Sequence, residues 1–255
     1  MKIVVLVKYV PEQTAEWRFA EDLTLDRDAI RGCLSELDEY AVEQAVRLAE
    51  TGTAAEISYL TMGPARAVDG LRKALAMGGD RAVHVLDDAI HGSDAVATSL
   101  ILAEALRRMG FDLILCGMAS TDAEMSVVPV MLADRLGVPA AVNALAVRVD
   151  DSSVTVQRDA EEVNAPLPAL VSVTDRSGDA RYPSFKAIIA GKKKPVITWS
   201  LADLGIAPDR VGAATAGTVV RAVRPRPPRK AGTVITAEDD AAVRLADFLA
   251  ANNLL

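Results

Sequence analysis

Four times in the first 137 residues a short apolar run is followed by a stretch whose apolar positions recur three or four apart, and few architectures accommodate that alternation. The runs are IVVLV at 3–7, EISYLTMG at 56–63, RAVHVL at 81–86 and DLILCG at 112–117. Polar residues stand mostly at their ends, as in strands buried on both faces. Of the intervening stretches, 35–50 places Leu37, Ala41, Ala45 and Leu48 on one face, with Ser35 as cap and Asp38 at capping-box spacing. Pro64 suits the first turn of a helix running to Leu75, with Gly78 and Gly79 ending it; Ser93 is the expected cap of a helix to Met109 closed by Gly110, and 126–135 is a helix closed by Gly137. Strands and helices alternating at these lengths require parallel pairing and right-handed crossovers. The expected fold is therefore α/β, an open, mostly parallel sheet with helices on both faces.

The pattern changes beyond Pro139. ALAVRVDDSSVTVQRD at 144–159 reads as an antiparallel hairpin around a polar turn, and PALVSVTD at 168–175 as one more buried strand. Residues 181–195, RYPSFKAIIAGKKKP, read as a loop with a short helix; 221–232, RAVRPRPPRKAG, are too proline-rich and basic for regular structure, and 237–249 form a final amphipathic helix whose stripe needs cover. The expected division is an α/β nucleotide-binding domain, 1–185, and an extended C-terminal arm, 186–255.

A formal charge of −7 argues against broad nucleic-acid binding, which needs a positive field. No apolar run approaches the roughly 20 residues of a membrane span. With no secretory signal and only two cysteines, Cys33 and Cys116, at no metal-ligand spacing, a cytoplasmic location is expected. Basic residues concentrate late, at Lys192, Lys193, Lys194, Arg210, Arg221, Arg224, Arg226 and Arg229, whereas 12–50 is rich in acid, an asymmetry suited to docking an acidic partner.

Ligands of such sheets collect beyond the carboxyl ends of the strands, which directs attention to 6–8, 60–63, 85–87 and 116–122, and to Ser35 if its helix starts on that side. The turn GMASTDAEMSVVPVMLADRLG, at 117–137, opens a helix and so offers unpaired N–H groups to an anion, helped by the hydroxyls of Ser120, Thr121 and Ser126. An ordinary strand-to-helix connection is the bland alternative. His84 and His91 read as core or surface histidines, and no Walker loop, zinc spacing or catalytic triad is present.

Residue for residue, VLVKYVPE, DEYAVEQAVRLAE, TMGPARAVDGLRKALAMGGDRAVHV, LILCGMASTD, PALVSVTD and RYPSFKAIIAGKKKP resemble the β subunit of the electron transfer flavoproteins, over nearly the whole chain. The resemblance implies a fold of the adenine nucleotide alpha hydrolase-like kind and a heterodimer with a larger α subunit, which makes most of the contacts to an FAD. It implies an electron carrier without catalytic residues, taking electrons from acyl-CoA and related dehydrogenases to a quinone oxidoreductase. It further implies a structural AMP held by Leu6, by Ser35, Glu36, Leu37 and Asp38, by Met62, and by Gly117, Ser120, Thr121, Asp122, Ala123, Glu124, Met125, Ser126, Val127 and Val128. Dehydrogenase docking falls to Phe185 with Lys192, Lys193 and Lys194. The turn departs from the family at Ala123–Ser126, where relatives carry more glycine, and three states of the pocket stay open: AMP with Glu124 outward, a second FAD as in electron-bifurcating relatives, or no nucleotide. The rivals are a stand-alone nucleotide-binding regulator and a nucleotide-dependent ligase, although a ligase should carry a glycine-rich loop where this chain has KYVPEQ.

Overall fold

The structure, a computed structural model, describes residues 1–53, 56–224, 227–228, 232–237 and 239–254. Its elements in chain order are β1 (Lys2–Leu6), β2 (Tyr9–Pro11), β3 (Gly32–Leu34), α1 (Glu36–Glu50), β4 (Glu56–Met62), α2 (Val68–Met77), β5 (Arg81–Val85), α3 (Ala95–Met109), β6 (Leu113–Gly117), α4 (Val128–Leu136), β7 (Ala140–Ala144), β8 (Ala146–Val149), β9 (Ser153–Gln157), β10 (Glu162–Pro166), β11 (Ala169–Val173), α5 (Phe185–Lys193), β12 (Val196–Trp199) and α6 (Ala241–Ala251). They form two units, Met1–Arg221 and Ala222–Leu255.

In the first unit seven strands make one sheet in the order β12-β5-β4-β1-β6-β11-β7, every pairing parallel. The two-residue period of a strand divides the core. Ile3 and Val5 face one cluster with Ala41, Val42 and Ala45 of α1 and Leu71 and Leu75 of α2, whereas Val4 and Leu6 face another with Ile101 and Leu106 of α3 and Leu132 of α4. The chain first winds outward from β1 through β4 to β5, then returns to lay β6 on the other side of β1. Between β1 and β6 the order reverses, and the crevice at that switch point is where such sheets bind ligands.

The hairpin forms as β8 and β9, with the Asp150 carboxylate accepting from the Ser152 and Ser153 amides at 2.9 and 2.7 Å. β10 extends it to three antiparallel strands, and Val154, Val156 and Ala165 bury their side chains in the core on the α1 face. Five strands are absent from the sequence expectation for physical reasons; β2 and β3, which pair only with each other, are three residues each, too short to write an alternating pattern. β7, AAVNA, is built from weak strand formers and is held by the burial of Ala141 and Ala144. β10 contains Pro166, and β12 is a four-residue edge strand directly after a helix.

Helices α2, α4 and α6 begin at Val68, Val128 and Ala241, later than the expected 64, 126 and 237, and two helix caps differ from the sequence reading. Ser35 occupies the N-cap position of α1 but its hydroxyl makes no cap bond, and Asp38 turns away from the helix, so the capping box does not form. Asp94, not Ser93, caps α3, accepting from the Ala97 amide at 3.0 Å, because the Ser93 hydroxyl accepts from the Gly212 amide at 2.9 Å. In the second unit, α6 leaves Val243, Leu245 and Phe248 exposed. Of the basic residues singled out in the arm, Arg226 and Arg229 lie outside the described residues.

Candidate nucleotide site

The switch point is closed by one carboxylate. Asp38 Oδ2 accepts from the Lys8 amide at 2.8 Å and Oδ1 from the Gly117 amide at 3.2 Å, so the first turn of α1 is tied to the chain leaving β1 and to the end of β6. The Ser35 amide donates to the Lys8 carbonyl at 2.9 Å, which brings the start of α1 to the ligand side of the sheet. Gly117 makes the approach feasible: a Cβ there would lie 2.8 Å from Asp38 Oδ1 and from the backbone C and O of Leu37. Burial drives the Asp38 carboxyl up to about 7, against the two amide bonds and the Lys8 charge that favour its ionised form.

The second carboxylate of the site behaves in the opposite way. Asp122 is also buried, which by itself would raise it, but Lys8 Nζ at 2.8 Å and Arg27 Nη2 at 2.5 Å hold it down at about 2. Lys8 Nζ also donates to Ser120 Oγ at 3.2 Å, and Arg27 Nη1 to the Tyr9 carbonyl at 3.1 Å. Asp122 is thus neutralised from within and adds no unbalanced negative charge to the turn.

The turn itself folds around the Ser120 carbonyl, which accepts from the Ala123 and Glu124 amides at 3.3 and 2.9 Å. Glu124 and Ser126 adopt φ of 51° and 55°, the left-handed region that glycine enters freely. The turn therefore reaches a glycine-like path without glycine. Ala123, Glu124, Met125, Ser126 and Val127 are exposed, Thr121 and Val128 half-buried, and Val128 heads α4 with Pro129 in its first turn. The first-turn N–H groups have no acceptor inside the helix and the dipole adds partial positive charge. At the head of α1 the Ser35 hydroxyl is wholly buried without a hydrogen-bond partner among the described residues. Leu6 is buried at the end of β1, Leu37 and Met62 are half-buried, and Glu36 is exposed.

Lys8 and Arg27 are the site residues that sequence reasoning did not single out. Lys8 was legible only as a residue at a strand end; Arg27 sits in the irregular 12–31 loop, and nothing in its neighbours marks it. His84 is buried against the Gly63 carbonyl at 3.0 Å and His91 is an exposed partner of Asp22 at 2.6 Å. Burial raises the Cys116 thiol well above its usual range, which suits a packing residue. Among the described residues no cluster suits a metal ion and no helix is long and apolar enough to cross a membrane.

The residues expected to dock a dehydrogenase lie apart from this crevice, on α5, which packs against α2. Phe185 is 79% exposed and Lys192 and Lys193 face solvent. Lys194 is directed inward: its ammonium donates to the carbonyls of Leu75 and Gly78 at 2.8 and 3.3 Å, so its charge is used in closing α2.

The family model described as the electron transfer flavoprotein domain matches residues 22–204. The chain is 40% identical over 263 aligned residues to the electron transfer flavoprotein subunit beta of Mycobacterium leprae, covering 99% of both chains. It is 31% identical to that of Megasphaera elsdenii over 94% of this chain and 93% of the relative, and 30% identical to a caffeyl-CoA reductase-Etf complex subunit of Acetobacterium woodii over 92% of each. By domain match and near end-to-end similarity the chain belongs to the β subunits of the electron transfer flavoproteins, the non-catalytic partners of an α subunit in electron transfer.

Proposed function

We propose that the crevice at the switch point holds AMP and that this subunit, joined to its α subunit around one FAD, carries electrons in the cytoplasm. The donors are acyl-CoA and related dehydrogenases and the acceptor is a quinone oxidoreductase. The observation that carries the AMP reading is the buried Ser35 hydroxyl beside the Asp38–Gly117 closure, a polar group that lacks a partner among the described residues. A phosphate is favoured at the head of α4 by N–H groups near Ser126 to Val128. Glu124, which would repel it if turned inward, is exposed. Lys8 and Arg27 cancel the charge of Asp122, and the Ser120 and Thr121 hydroxyls remain as short-range donors or acceptors.

The flavin, when bound, supplies the redox chemistry. This chain's residues exclude water, position and dock. The exposed Phe185 with Lys186, Lys192 and Lys193 forms an apolar contact with a basic rim, suited to fast, weak encounters with an acidic-rimmed pocket. The segment from 186 onward thus serves partners more than the nucleotide.

Co-expression with the α subunit, denaturation of the purified complex and chromatography of the released nucleotides test this reading. One FAD and one AMP per heterodimer is the expected result. Two FAD and no AMP would assign the crevice to a second flavin, one FAD alone would refute nucleotide binding there, and a colourless complex would refute the carrier reading.

A further inference from the structure

The segment that leads into α5, and the helix itself, are fastened at both ends by contacts that the nucleotide site does not use. At the entry, Arg181 donates from Nε to Glu43 Oε2 at 2.7 Å, from its backbone N–H to the same oxygen at 3.1 Å, and from Nη2 to Glu43 Oε1 at 3.1 Å. Its Nη1 and Nη2 also reach both oxygens of Glu50 at 2.5 and 2.9 Å. One guanidinium therefore spans two carboxylates of α1. Glu43 is 3% exposed and further held by Arg47 Nε at 2.8 Å; despite burial, which would raise it, Arg181 and Arg47 keep its carboxyl below the usual range. From the same helix Gln44 Nε2 and Arg47 Nη2 grip the approaching chain at the Ser177 and Asp179 carbonyls, at 2.7 and 3.1 Å.

At the exit the fastening is reciprocal. Arg72 of α2 donates to the Gly191 and Lys194 carbonyls at 3.2 and 2.7 Å, closing α5, while Lys194 closes α2. Gly191 lies so near α2 that a Cβ would meet the Ala76 amide nitrogen at 2.8 Å. Between the two fastenings Tyr182, 95% exposed, leads into an apolar face of Phe185, Ile188 and Ile189, spaced as one side of a helix.

We propose that Arg181 is the positioning residue of the dehydrogenase-docking face. With Glu43 and Glu50 it sets the direction in which Tyr182 and Phe185 leave the domain, so that the partner meets a face already ordered. A surface held before encounter loses little further freedom on binding, which favours association for a carrier that must bind and release many times. The proposal rests on the docking reading of Phe185. A lysine at 181 keeps the charge opposite Glu43 but lacks the fork that spans both carboxylates.

The test uses the heterodimer carrying Arg181→Ala, Arg181→Lys, Glu50→Gln or Phe185→Ala, with a purified acyl-CoA dehydrogenase reduced by its acyl-CoA as the electron donor. Arg181→Ala is expected to speed hydrogen exchange of the 182–190 amides by about tenfold or more, as loss of charge-assisted bonds implies. It should raise the KM for the dehydrogenase several-fold with kcat and FAD content unchanged, and Arg181→Lys should fall between it and the unaltered protein. Phe185→Ala should raise KM while leaving exchange as it was. Should Arg181→Ala fail to fold, Glu50→Gln, which removes half of the fork at an exposed carboxylate, is expected to give a smaller change of the same kind. Unchanged exchange in the Arg181 or Glu50 variants overturns the proposal, as does faster exchange with unaltered KM where Phe185→Ala does raise it. An unaltered KM in Phe185→Ala overturns the docking reading itself.

Discussion

Gly117→Ala probes the contact that ties the first turn of α1 to the end of β6 at the candidate nucleotide site. The added methyl would stand 2.8 Å from Asp38 Oδ1 and from the C and O of Leu37, where ordinary contact begins at 3.4 Å. Two of these atoms are backbone, so no side chain can swing aside; the first turn of α1 must move, and it is tied to Lys8 as well. Overpacking of this kind costs about 1–3 kcal/mol, and loss of the Gly117 amide bond to Asp38 about 1.5–3 kcal/mol more if the carboxylate draws away. The lower halves of these ranges sum to about 3 kcal/mol. With an m-value of roughly 3 kcal/mol per molar urea, the midpoint of unfolding should fall by about 1 M. The measurement is urea unfolding of the heterodimer by circular dichroism, beside Gly232→Ala, where nothing lies within 4 Å of the new methyl. Running both with and without saturating AMP separates packing from ligand stabilisation, because the packing deficit persists in both. Stability within about 0.5 kcal/mol of the control would refute the claim that close approach at Gly117 holds the site together.

Asp38→Asn should flatten the pH dependence of stability. The folded carboxyl lies at about 7 against roughly 4 unfolded, so its contribution is fully present below the unfolded value and is lost as pH rises through the folded one; unfolding free energies that run parallel for both proteins from pH 4 to 8 would contradict this. Leu115→Ala, at a wholly buried sheet position, should destabilise by about 2–5 kcal/mol in the same urea assay. Lys194→Met should lower stability by about 1–3 kcal/mol, by leaving the Leu75 and Gly78 carbonyls without their cation, yet spare the KM for the dehydrogenase; paired Lys192→Ala and Lys193→Ala changes should do the reverse.

The sheet and its covering helices were legible because burial on two faces leaves a strong trace: β1, β4, β5 and β6 are apolar runs, and α1 to α4 carry stripes at helical spacing. The strand-end rule then pointed to the switch point between β1 and β6, and the Gly117 turn follows β6 there. Where local pattern is weak the reading stopped short. The alanines of β7 and the edge position of β12 write no period into the chain, and a capping-box spacing at Ser35 and Asp38 could not reveal that Asp38 accepts from the amides of Lys8, just beyond β1, and Gly117, at the end of β6, instead of from that of Ser35.

Amino-acid order alone pointed to the α/β class, to the turn after Gly117 as a candidate anion site, and to a short basic helix within 181–195, since each depends on residues close together in the chain. Tertiary structure decided the charges. Lys8 and Arg27 meet Asp122 across separations of 114 and 95 residues, Arg181 reaches Glu43 across 138, and Lys194 turns from solvent to the end of α2. Periodicity reports only on neighbours, whereas the ionisation of a buried carboxylate is set by whichever cations folding brings within reach.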